Sequence, residues 1–219
     1  MRSLLLLAFS FCFLVLKADV GPGNETINLW NDVLQKHVNA AGDVNYSALK
    51  NSAPFQEVLR GFAKEVPTDS WSSNEKKAYW INVYNAFTLE LIIQNLPLKS
   101  ITDLDKPWDK KFIEIDGSTY SLNGIETDII RKKYDEPRIH FALNCGAKSC
   151  PLVATYDAKN FDTKIDQVAK SFLTKMSTYN KKENTVLTTP LFSWFRGDFG
   201  GKNGILKLMK QYEVIPDDS

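Results

Sequence analysis

Histidine and cysteine are the scarce residues of this chain, two of the first and three of the second in 219. Nucleophilic or metal chemistry resting on them is therefore confined to very few places. Charge of one sign is lacking too: 27 basic residues face 26 acidic ones, and Lys and Arg are scattered rather than blocked. That excludes the electrostatic footprint of a nucleic-acid binder. Past the first twenty residues no apolar run approaches the length of a membrane helix. No internal repeat, low-complexity tract or Pro/Ser-rich linker divides the chain. What is present is 43% apolar side chains in a length that suits one good-sized core, so a single domain is expected.

The opening "MRSLLLLAFSFCFLVLKADV" has Arg2, an apolar run from Leu4 to Leu16 and a small residue at Ala18, the layout of a secretory signal peptide. Cleavage after Ala18 would remove Arg2, Lys17 and Cys12, leaving 25 of the 27 basic residues against 26 acidic. The expected product is exported, to a secreted or periplasmic location, with no membrane attachment after cleavage. The expected divisions are a signal peptide over 1–18, a loop and helix over 19–42, the main domain over 43–212 and a tail over 213–219.

Helical periodicity is expected at Ile27, Trp30, Val33 and Leu34, with Gly42 as its stop, and again from Phe55 to Phe62. The longest pattern runs from Ser73, as N-cap, to Pro97 and is apolar on nearly every face from Ala78 to Ile93, which predicts a buried central helix. Asn82 and Asn85 share a face of it. Their amides need partners, so each either fastens a neighbouring loop or binds substrate. Alternation at Phe112–Ile115, a turn at Asp116–Gly117 and resumption at Tyr120 predict a hairpin. A short helix follows, capped at Asn123, with Glu126 in its first turn. "RIHFALN" reads as a buried strand and "CGAKSCP" as the loop leaving it. Phe161 to Met176 predicts another amphipathic helix; a short strand, an aromatic-rich loop and a last helix follow. The fold class is α+β, helix-rich, with a small antiparallel sheet.

With "VNYSALK", "AYWINVYNAFTL", "SLNGIE", "RIHFALNCGAKSCP" and "FSWFRGDFGG" in this order, the chain resembles the domain-of-unknown-function family 547, from about Asp43 to Tyr212. That family has exported bacterial members and eukaryotic ones, and no activity is attached to its name. The resemblance singles out Trp80, Asn82, Asn85, Glu126, Arg138, His140, Cys145, Cys150, Pro151 and Asp198. Where family members commonly read Ile-Glu-His, Thr127 stands here, which leaves His140 as the imidazole to consider.

Two readings of the block stay open. In the first, Cys150 is a nucleophile, its thiolate favoured at a helix start marked by Pro151, His140 is the base, and Glu126 or Asn144 orients it. Lys148 or backbone amides around Gly146 would serve an oxyanion. Strict strand alternation puts His140 and Asn144 on one face and Cys145 on the other, so Cys145 is the secondary candidate. Asn82, Asn85, Arg138 and Asp198 would then contact a peptide-like or protein substrate, and no cofactor is implied. The reaction would be hydrolysis or acyl transfer at an amide or peptide bond, with papain-like or transglutaminase-like folds as an analogy. In the second reading Cys145 and Cys150 close a small disulfide loop in a non-catalytic binding or scaffold domain. A metal held by His140, Cys145, Cys150 and Glu126 ranks last, because the spacing is not a zinc pattern. The tripeptide Arg196–Asp198 lies among aromatics, so Asp198 is expected to fix a packed loop.

Overall fold

The computed structural model describes residues 24–217. Its centre is a 22-residue helix, and the reason is legible in the side chains. Ser72 accepts a hydrogen bond from the Glu75 amide (3.2 Å) while Glu75 accepts one from the Ser72 amide (2.6 Å), a reciprocal cap that starts the helix. From Lys77 to Leu89 every residue is buried, so the helix has no polar side and must be enclosed.

The enclosing elements follow in chain order. Helix α1 (Asn24–His37) packs on α3 (Ala53–Lys64), with α2 (Tyr46–Lys50) between them in sequence and touching the central helix, α4 (Ser73–Gln94). Strands β1 (Ile113–Ile115) and β2 (Ser118–Tyr120) form an antiparallel hairpin with Ile115 opposite Ser118. Its turn residues Asp116 and Gly117 both have positive φ, +47° and +71°, as a tight two-residue turn with right-handed strand twist requires. A short turn, α5 (Leu122–Gly124), is capped by the Ser121 hydroxyl rather than by Asn123, and it widens into π-type turns over Ile125–Arg131 that lie against α4.

The chain then departs from the strand expected at "RIHFALN". Pro137–Phe141 is a tight helical turn. An apolar run of this length fits either a strand or a buried helical turn, and local polar contacts decide it. Pro137 stands at the first position, and the Glu136 carboxylate accepts from the Arg138 amide (3.2 Å) and the Arg138 Nε (2.7 Å). Cys150–Pro151 is not a helix start either: no helix begins there, and the next helical turn is Ala158–Asn160. It leads into α6 (Phe161–Met176), whose limits agree with the sequence pattern.

A second hairpin follows, β3 (Thr178–Asn180) paired with β4 (Thr185–Leu187), then a one-turn helix α7 (Leu191–Trp194) and the last helix α8 (Gly201–Gln211). The molecule is one helix-rich α+β domain with two small antiparallel sheets. Its apolar interior has two parts. The larger surrounds α4, and the smaller gathers Phe141, Phe172, Leu173, Phe192, Phe199 and Met209 between α6, α7 and α8.

Candidate functional site

Asn82 and Asn85 are fully buried on α4, and each uses both ends of its amide on the chain that follows His140. Asn82 donates to the Tyr156 carbonyl (2.7 Å) and accepts from the Tyr156 amide (3.0 Å). Asn85 donates to the Ala142 carbonyl (2.9 Å) and accepts from the Asn144 amide (2.8 Å). Two side chains one helical turn apart thus pin both ends of the segment from 142 to 156. Asn144 closes the loop from inside: its amide group donates to the Pro151 carbonyl (2.7 Å), and its oxygen accepts from the Gly146 amide (2.9 Å).

Within that frame Cys145 and Cys150 form a disulfide, their Cα atoms 6.0 Å apart. Gly146 sits at φ +86°, and a Cβ there would lie 3.0 Å from Ile92 Cδ1 and 3.1 Å from Ile101 Cδ1. The loop backbone is pressed on the core where only glycine fits both the angle and the space.

His140 is engaged elsewhere. Its Nε2 lies 2.9 Å from Asp198 Oδ2, and its ring stacks on Phe195 with centroids 3.9 Å apart and planes at 17°. Asp198 in turn accepts from Arg131 Nε (2.6 Å) and Nη2 (3.1 Å), a two-point pairing that is the strong geometry for guanidinium and carboxylate. Arg131 holds the Asp198 carboxyl down at about 2, with burial opposing and the His140 hydrogen bond adding to the effect. Burial lowers the His140 pKa in spite of that carboxylate, so the ring is neutral near pH 7 and donates Nε2–H to Asp198. Phe199 tilts over the same ring at 5.3 Å.

Glu126 is half-buried beside this group. Burial raises its pKa, against the pull of Arg131 and a hydrogen bond with Tyr84, while the Asp198 charge raises it further. Arg138 lies apart, with Glu136, Asp166 (3.0 Å) and Asp162 (3.3 Å) around its guanidinium, and Asp166 also accepts from the Tyr212 hydroxyl.

The residues singled out from sequence therefore fall into three neighbourhoods. Asn82, Asn85, Asn144, Cys145 and Cys150 belong to the pinned loop; Glu126, His140 and Asp198 converge with Arg131; Arg138 braces α6. Cys150 and His140 line different cavities. One, of about 300 Å³, is bounded by Arg131, Tyr134, Glu136, His140 and Asp198. The other, of about 340 Å³, lies between the disulfide loop and α6. Among the described residues no group of three or more His, Cys, Asp and Glu side chains is arranged to hold a metal. Arg131, Tyr84 and Phe195 escaped sequence reasoning. Phe195 is one of the aromatics around Arg196–Asp198 and nothing in that pattern points to His140, and a charged residue five positions after Glu126 carries no signal of its partner.

A family model described as "Protein of unknown function, DUF547" matches residues 68–173. No curated protein and no solved structure matches the chain.

Proposed function

The chain belongs to DUF547, a family whose description assigns no activity, and on that premise we propose that it is an exported, non-catalytic binding domain whose recognition loop is held by the Cys145–Cys150 disulfide. The observation that carries this reading is the state of the sulfurs. A paired cysteine has no thiolate, and the imidazole that would activate one is bonded to Asp198 under Phe195 and borders a different cavity. Export fits the same observation, since a disulfide persists in an oxidising compartment, and the apolar leader is the expected route there. The partner is a peptide-like segment or protein that meets the loop, and the loop's pinning by Asn82, Asn85 and Asn144 supplies the preorganisation that binding needs.

A cysteine-dependent hydrolase or acyl transferase would need Cys150 reduced and turned toward a base. Alkylation and mass spectrometry of the mature protein, with and without prior reduction, separate the two readings when paired with an assay on fluorogenic peptide amides. The expected result is that neither cysteine alkylates before reduction and that neither redox state turns over substrate. Removing the disulfide by Cys145→Ser or Cys150→Ser should cost about 2 kcal/mol of stability, the loop-closure contribution of a short ring. Turnover that appears on reduction and vanishes in a folded Cys150→Ser variant would replace the binding reading with the enzymatic one.

A further inference from the structure

The cavity beside the disulfide loop has a charge pattern that none of the preceding roles uses. Its floor is apolar, made by Val153, Val168, Phe172 and Met176, with Cys150 on the loop wall. Leu152, which is 44% exposed, adds an apolar edge and packs over Gly42, where a Cβ would meet its side chain. Three cations stand around this floor: Lys148 on the loop, and Lys164 and Lys175 on α6. No carboxylate lines the cavity, and among the described residues none of the three lysines is in an ion pair, although Lys170 on the same helix pairs with Glu213.

The spacing gives the pattern a direction. Lys164, Val168, Ser171 and Lys175 are separated by four, three and four residues, so they share one face of α6 with a lysine at each end. At ~1.5 Å per residue the two lysines stand ~16 Å apart along the helix. An extended peptide covers that distance in about five residues at ~3.3 Å each. A ligand with one headgroup, such as a fatty acid, answers one end of this arrangement and leaves the other lysine unpaired.

We propose that the groove between the disulfide loop and α6 binds an extended acidic peptide segment of a partner protein, with carboxylates at its two ends on Lys164 and Lys175 and apolar side chains between them on Val168, Phe172 and Val153. This rests on the reading of the chain as a binding domain and names the chemistry of its partner. Charge complementarity carries the choice of occupant, since an acid-free apolar groove flanked by unpaired cations disfavours basic and neutral segments.

The test is selection from a random peptide library displayed on phage, run against the oxidised mature protein and against a Lys164→Glu/Lys175→Glu double variant. Both lysines lie on the α6 surface, and circular dichroism checks that the variant keeps its fold. The expected result is a consensus with acidic residues about five apart flanking apolar ones. The corresponding synthetic peptide should bind the variant about tenfold or more weakly, and the variant should select basic residues instead. A consensus without acidic residues, equal affinity for both proteins, or laurate binding in the groove with no acidic consensus would overturn the proposal. In each of those cases an inert, disulfide-bonded protein still leaves the binding-domain reading standing; reduction-dependent turnover requiring Cys150 is what removes that reading.

Discussion

Asp198 serves two partners at once, and its titration follows from them. Its folded pKa of about 2 lies below the ordinary 3.8, so its contribution to stability is complete above pH 4 and is lost as pH falls toward 2. The side chain is 29% exposed, and after solvent screening about 1 kcal/mol is at stake. Urea unfolding between pH 4 and pH 2 should show wild type losing that much relative to Asp198→Asn. An equal slope in both proteins would mean that Arg131 does not hold the carboxylate. His140 adds a second window in the same direction. Burial depresses its pKa, so its contribution is present above 6.5 and declines as pH drops below that value.

Glu126 runs the other way. Burial raises its carboxyl, so its favourable contribution belongs below 4.5 and it destabilises the fold at neutral pH. Glu126→Gln should therefore raise Tm at pH 7, by ~2–4 °C for each kcal/mol relieved, with the gain shrinking as pH falls toward 4.5 and absent below it. A fall in Tm at pH 7 would show that the Tyr84 hydrogen bond and the Arg131 charge outweigh burial. None of this was legible in the sequence. Asp198 lies 58 residues from His140 and 67 from Arg131 along the chain, and nothing local to any of the three announces the other two.

At the scale of elements, α4 shows what a sequence can and cannot disclose. Its apolar faces announce a buried helix, although the cap expected at Ser73 is made one residue earlier by Ser72 with Glu75. Two amides on that helix announce a fastening role, but the fastened partners are backbone groups beyond residue 140. Asn85→Ala would strand the Asn144 amide and the Ala142 carbonyl at once. The expected cost is roughly 2–3 kcal/mol in chemical denaturation. Exposed Gln94→Ala on the same helix should change stability by less than ~0.5 kcal/mol. Equal, small effects would mean that the loop holds its shape without the helix. The hairpin at Asp116–Gly117 and the limits of α6 were readable because turn chemistry and a 3.6-residue period are local signals. The turn at Pro137–Phe141 was not, because an apolar run gives no period and the deciding contacts come from the Glu136 and Arg138 side chains. The separation of His140 from Cys145 expected from strand alternation is present for a different reason: His140 pairs with Asp198 and Cys145 with Cys150.

On the scale of the whole molecule, the two apolar clusters meet at the His140 turn, and the meeting is what the Arg131–Asp198–His140 contact holds. Phe141 belongs to the smaller cluster, packed against Phe172, Phe192 and Phe199, while its neighbours Ile139 and Ala142 belong to the larger one. The family match ends at residue 173, yet Phe192, Phe199, Met209 and Tyr212 lie beyond it and cover Phe141 and Phe172. A chain ending at Met176 would expose these aromatics, worth ~1.5–3 kcal/mol each when fully buried, and would leave Arg131 and His140 without Asp198. A domain stable by ~5–15 kcal/mol does not withstand several such losses. The truncated chain is expected to lose its cooperative melt and to bind a hydrophobic dye, whereas the full chain with Asp198→Ala should still melt cooperatively but exchange amide hydrogens faster over residues 191–212 than over α4. A truncated chain with a sharp melt near the wild-type Tm would mean that the segment after α6 is an appendage, and that the Arg131–Asp198–His140 contact joins it to the core without supporting it.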